Sequence, residues 1–170
     1  MRETQSDRLL TLEVPFSVWR GADEISTSRT RLDVAVIHEF LTASYWSPGI
    51  PRETVERALE GSLNFGLYRS VGNSVDNISR QIGFARVVTD GVTFAYLADV
   101  FVLPDFRGAG LATWLVAAAL THPALSGLRR ILLVTRDAHA VYARCGFTPL
   151  ARPERFMEIN RPDIYRRKEN

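Results

Sequence analysis

Between Val100 and Ala112 the sequence reads VFVLPDFRGAGLA, an apolar stretch closed by Pro104 and followed by Arg107, Gly108 and Gly110 directly before the apolar run LATWLVAAAL. That order suits the binding of an anion. The first turn of a helix carries N–H groups without intrahelical partners, and the positive end of the helix dipole lies at the same place. Glycines at 108 and 110 remove the Cβ atoms that would block close approach and allow the φ values that aim successive N–H groups into one concavity. Arg107 adds fixed positive charge. A nicotinamide-binding loop would need GxGxxG after a parallel strand, whereas GAGLAT here follows a hairpin strand, and the GKS or GKT triplet of a P-loop is missing. An ordinary strand-to-helix turn that uses glycine for geometry alone is the plain alternative.

Other reactive side chains are few. Asp99 interrupts an otherwise apolar strand, where a carboxylate is costly unless paired, so either an arginine or backbone N–H partner or a catalytic task must account for it. Strand alternation places Tyr96 on the face opposite Asp99. Cys145, the single cysteine, has no disulfide or CxxC partner, and with no histidine arranged to activate it, it reads as a small core residue. His38, His122 and His139 are available as bases, although His122 beside Pro123 looks like a helix terminus and His139 like a helix surface.

These residues need elements to hold them. LDVAVI, residues 32–37, reads as a strand from its β-branched content, and HEFLTASYW after it as a helix. Pro51 suits the first position of a second helix, RETVERALEG. FGLYRS, QIGFARVV and VTFAYLADVFVL then form an antiparallel meander, with Asp90 and Gly91 at its second hairpin. A helix over LATWLVAAAL, a strand RILLVT, a helix DAHAVYARC capped by Gly146, and two short strands around FTPL and RFMEIN complete a mixed α/β order. Residues 1–30 read as a loosely attached arm, 31–160 as the folded domain and 161–170 as a polar tail. The arm's apolar residues Leu9, Leu10, Leu12, Phe16 and Trp19 would dock on the domain or on a partner chain, and a homodimer is among the expected partners.

Composition narrows the class. The chain has 170 residues, 46% of them hydrophobic and 24% charged, as in one globular domain with a substantial core. No apolar run is long enough for a membrane span, and MRETQSDRLL is charged where a secretory signal would turn apolar, so a cytoplasmic protein is expected. The net charge is +2 and Lys168 is the only lysine, so the positive charge is arginine dispersed along the chain. A nucleic-acid binder would show a basic stripe with interleaved aromatics, and none is expected to bind here. No metal site is expected either.

The stretch from VFVLP to YARCGF resembles the GCN5-related N-acetyltransferases (GNAT). Their coenzyme A signature is Gln or Arg, two variable residues, Gly, one variable residue, then Gly or Ala, and Arg107, Gly110 and Ala112 fill it in register. Tyr142 stands four residues before Gly146 and five before Phe147, as in the family's late motif. The resemblance implies a mixed, mostly antiparallel central sheet that splays between flanking helices. It implies acetyl-CoA as co-substrate, with the pantetheine arm on backbone groups of Phe101, Val102 and Leu103. The diphosphate would lie on the N–H groups of Arg107, Gly108, Ala109, Gly110, Leu111 and Ala112. Acetyl transfer to the amine of a small molecule or peptide would be direct, without an acyl-enzyme, and the candidates for acid and base are Tyr142 and Asp99. Tyr45 and Trp46, within the segment that carries acceptor specificity in the family, would wall the amine pocket or serve as core or interface aromatics. The family's asparagine seven residues before Tyr142 is Thr135 here, which removes one side-chain contact to the cofactor. A non-catalytic acyl-CoA sensor and an interaction protein are the rival readings.

Overall fold

The computed structural model describes residues 15–71 and 78–166. Six strands form one sheet in sequence order: β1 (Ser17–Arg20), β2 (Asp23–Ser26), β3 (Leu63–Val71), β4 (Ile78–Thr89), β5 (Phe94–Val102) and β6 (Arg130–Leu132). The first five are antiparallel and β6 joins β5 in parallel, giving the expected mixed and mostly antiparallel sheet. Helices α1 (Val34–Thr42) and α2 (Arg52–Glu60) lie between β2 and β3, α3 (Leu111–Leu120) between β5 and β6, and the short α4 (His139–Ala143) after β6.

Hydrophobic burial divides between the two faces of the sheet. On one, α1 and α2 supply Ile37, Leu41, Val55 and Leu59 to a cluster completed by Phe84 and Phe101. On the other, Leu111, Leu115, Val116, Ala118 and Ala119 of α3 pack on Phe65, Leu67, Ile82, Ala95, Leu97 and Val102. Strand β5 therefore feeds both layers, Phe101 into the first and its neighbour Val102 into the second, as the two-residue period of a strand requires.

Four parts of the chain differ from the reading of the sequence. LDVAVI is not a strand, because the Asp33 carboxylate accepts from the N–H groups of Ala35 and Val36 and starts α1 there. Ile37 and Leu41, four residues apart, then bury on one side. Within the supposed arm, Ser17–Ser26 is a hairpin turning at Gly21 (φ 62°) and adding two strands to the sheet, with Phe16 packed edge-on against Phe65 and His122. Leu9, Leu10 and Leu12 lie outside the described residues. FTPL and RFMEIN contain no strand, and within the latter Met157 and Ile159 are exposed. Tyr165, in the supposed polar tail, packs against the α1–α2 cluster. Among the described residues no helix is long and apolar enough to cross a membrane.

Candidate active site

The turn after β5 is built stepwise. Leu103 N–H donates to the Ile82 carbonyl at 2.8 Å, holding the strand end against β4. A 3-10 turn over Pro104–Phe106 follows, and the Arg107 Nε donates back to the Val102 carbonyl at 2.9 Å. Gly108 and Gly110 then take left-handed conformations, φ 86° and 73°. A Cβ on Gly108 would meet nothing within 4 Å, so glycine is required there for conformation and not for room. Gly110 is the N-cap of α3, with Trp114 N–H bonded to its carbonyl. Among the described residues no protein acceptor takes the N–H groups of residues 108–113. They form a run of unpartnered donors at the positive end of a helix. Gly108, Ala109, Gly110, Leu111 and Ala112 all fall within it.

Beside this loop the sheet opens. β6 pairs with β5 only from Phe94 to Tyr96, while β5 continues to Val102, so among the described residues no strand pairs with residues 97–102 on that side. Phe101 and Leu103 turn their backbone groups toward β4, as the bond from Leu103 to Ile82 shows, and alternation turns those of Val102 into the gap. Of the three residues expected along the cleft, Val102 is therefore the one whose N–H faces it, its carbonyl already engaged by Arg107.

A bulge on β5 opposite β4 reshapes the middle of the cleft. Ala98 pairs with Arg86 and Phe101 with Phe84, which leaves β5 one residue longer than its partner. Asp99 absorbs the extra residue at φ 54°, the single positive φ outside glycine among the described residues. Its carboxylate is held twice: Arg86 Nε donates at 2.6 Å and Trp46 Nε1 at 3.2 Å. Arg86 also donates to Ser62 Oγ at 3.1 Å. Beyond the bulge, strict alternation no longer applies. Ala95, Leu97 and Val100 share the α3 side, which puts Tyr96 and Asp99 together on the other, contrary to the expectation from spacing. Burial, followed by the nearby Asp99 charge, raises the Tyr96 phenol above its usual range.

Tyr142 enters from α4, half-buried against the α3 layer with its ring edge-on to Phe147. Burial pushes its hydroxyl up to about 12, with smaller contributions from Tyr45, Cys145, Tyr96 and Asp137, so it is fully protonated at neutral pH. Tyr45 reaches across from the segment after α1: its hydroxyl accepts from Arg136 N–H at 3.0 Å, and the Arg136 guanidinium lies 3.9 Å from its ring centroid. Trp46 packs edge-on to Tyr45. Thr135 directs its hydroxyl to its own loop, accepting from Ala138 N–H. Cys145 donates to the Thr113 carbonyl, and burial raises its thiol, as befits an inert packing residue. His122 is buried, accepts from Ala124 N–H and is driven toward its neutral form by that burial, while His38 bonds the Ile50 carbonyl.

Two contributors escaped the sequence reading. Arg86 is separated from Asp99 by a hairpin and became recognisable only through pairing. Arg20 of β1 brings Nη1 to 3.9 Å from the position a Cβ would take on Gly110, and no spacing rule links those residues. A depression of about 480 Å³ between β6 and residues 146–156 contains none of the loop, bulge or Tyr142 residues.

Comparison with known proteins places the fold and the family. Residues 34–147 match the model of the acetyltransferase (GNAT) family. A crystal structure of a GNAT-family protein from Xanthomonas campestris pv. campestris is 45% identical, covers 85% of this chain and 97% of its own, and superposes with a TM-score of 0.76. A Gibberella zeae protein bearing an acetyltransferase name is 30% identical over 151 residues, 80% of this chain and 84% of that protein. A Clostridium acetobutylicum protein crystallised with acetyl-CoA shares the fold at a TM-score of 0.54 and 18% identity, over 75% of this chain and 86% of its own. This chain belongs to the GNAT family of acetyltransferases.

Proposed function

We propose that this chain binds acetyl-CoA and passes the acetyl group directly to the amine of a small molecule or peptide. The observation that carries the reading is the run of unpartnered N–H groups at residues 108–113, set at the end of a strand whose far edge is open. Those donors fit a diphosphate, and the Val102 N–H in the gap fits an amide of the pantetheine arm. Bound there, acetyl-CoA supplies a thioester within the cleft. The amine nitrogen forms a bond to the acetyl carbon as the carbon–sulfur bond breaks, and the nitrogen's proton is lost while the sulfur gains one.

Tyr142 serves the departing sulfur. A phenol near 12 is a weaker acid than an alkyl thiol, about 8.5 for free cysteine. Its hydroxyl therefore stabilises the thiolate as a hydrogen-bond donor, and the proton that completes the thiol comes from water. Both oxygens of Asp99 are held by Arg86 and Trp46, which favours a role in fixing the bulge over one as general base. Tyr45 and Trp46, each partly exposed beside the cleft, form the acceptor wall.

The test is thiol release from acetyl-CoA with pooled amines, amino acids and short peptides, preceded by thermal shift with acetyl-CoA and longer acyl-CoAs. Stabilisation by acetyl-CoA and amine-dependent thiol release are expected. Binding without turnover across the panel would make the chain an acyl-CoA sensor.

A further inference from the structure

We propose that Arg20, in the hairpin preceding the family-matched residues 34–147, is a ligand of the coenzyme A diphosphate and makes the β1–β2 hairpin part of the donor site. The inference rests on the acetyl-CoA reading above and extends it to a residue outside the family model.

Its basis is a convergence of like charges. The Arg20 guanidinium lies 3.9 Å from the Cβ position of Gly110, at the same helix end where the N–H groups of residues 108–113 have no protein acceptor. A cation beside the positive end of a helix is electrostatically unfavourable. Asp23 is the register partner of Arg20 across the hairpin turn. Both of its oxygens are already taken, one by Arg69 Nε at 2.7 Å and the other by Arg69 Nη2 at 2.9 Å. Arg69 in turn lies over the Phe106 ring, 5.1 Å from its centroid, with Arg80 on the same ring at 5.8 Å. Arg107 is anchored by Val102. Among the described residues Arg20 thus has no hydrogen-bond or ion-pair partner, and it is exposed toward the loop.

Chance placement by a mobile arm does not explain this position. Gly21 turns the hairpin, β1 pairs with β2 through four residues, and β2 pairs with β3 of the central sheet. A strand hydrogen-bonded into the sheet therefore carries the guanidinium to the glycine N-cap. An anion lying on the 108–113 donors satisfies the helix end and Arg20 together. A diphosphate, with oxygens on two sides, presents one set to the backbone N–H groups and another to the guanidinium.

Isothermal titration of CoA, dephospho-CoA and acetyl-pantetheine against wild-type, Arg20→Met, Arg20→Lys and Arg29→Ala proteins tests the assignment. Arg20→Met keeps most of the aliphatic stem. It is expected to weaken CoA and dephospho-CoA alike by about tenfold or more, as for loss of one charge-assisted hydrogen bond. The Lys variant recovers part of the affinity, Arg29→Ala matches wild type, and acetyl-pantetheine, without phosphates, shows no difference among the proteins. In turnover, KM for acetyl-CoA rises with little change in kcat. Unchanged CoA affinity in Arg20→Met overturns the proposal, and so does weakening confined to CoA, which would place Arg20 on the ribose 3′-phosphate. Either result leaves the acetyltransferase reading intact, whereas a wild-type protein that binds neither CoA nor dephospho-CoA overturns both.

Discussion

At the scale of single residues, the chemistry depends on which groups are spoken for. The Asp99 carboxylate, conspicuous in an apolar strand, is neutralised by Arg86 and tied to the Trp46 indole, so its presence is explained by pairing. Tyr142 is different, since no hydrogen bond occupies its hydroxyl among the described residues and burial keeps it protonated. Removing that hydroxyl should therefore act on the transition state and not on the ground state. Tyr142→Phe is expected to lower kcat by about 10–100-fold, below the upper range for full proton transfer, because the phenol donates a hydrogen bond without surrendering its proton. KM for acetyl-CoA should stay near the wild-type value. Steady-state kinetics at saturating amine makes the comparison, and an unchanged kcat would remove Tyr142 from the chemistry. The prominence of Tyr142 and of the glycines was legible in the sequence because their spacing is local. The partner of Asp99 was not, because pairing across β4 and β5 depends on a bulge.

At the scale of elements, the meander, α2 and α3 follow directly from turn residues and apolar runs, and the Asp90–Gly91 hairpin is fixed by four hydrogen bonds to the Asp90 carboxylate. Where the reading failed, a short-range signal competed with a weaker preference. The Asp33 cap outweighed the β-branched residues of LDVAVI, and two successive pairings, β1 with β2 and β2 with β3, placed Ser17–Ser26 in the sheet, although no periodicity in so short a stretch announces a strand. The register of β4 on β5 also depends on Gly83, whose missing Cβ would sit 2.8 Å from the Phe101 carbonyl and 3.0 Å from Leu67 Cδ2. Backbone must move to admit a methyl there. Gly83→Ala is expected to cost about 1–3 kcal/mol, as for overpacking. Because Val102 pairs with Gly83, the displacement also shifts the N–H that faces the cleft and weakens acetyl-CoA binding severalfold. Denaturant unfolding with titration of the same protein checks both. A stability loss with unchanged affinity would detach the strand end from the donor site.

Over the whole molecule, the cleft exists because the sheet is firmly joined on one side and sparsely on the other. β3 and β4 share nine register pairs, whereas β6 holds β5 through three, from Phe94–Arg130 to Tyr96–Leu132. The segment carrying β6 and Tyr142 is further attached by the packing of Tyr142, Cys145 and Phe147 on the α3 layer and by the contact from Tyr45 to Arg136 across the gap. Fewer backbone bonds and less buried area imply opening at lower free energy than the meander requires. A ligand lying along Val102 and reaching toward Tyr142 contacts both sides, so it should stabilise the weaker side most. Hydrogen exchange on the free protein is expected to show faster exchange at residues 130–132 and 141–143 than at the centres of β3, β4 and β5. Acetyl-CoA at about 100 times its Kd adds about 2.7 kcal/mol of global stability, with a rise in Tm of about 5–10 °C. The gain in protection should concentrate in residues 108–113 and 130–143. In Gly110→Glu, where a side chain at φ 73° and a negative charge both oppose the anion, the Tm rise and the added protection should disappear together. Protection confined to residues 108–113 would mean that the ligand grips the loop without bridging the sheet.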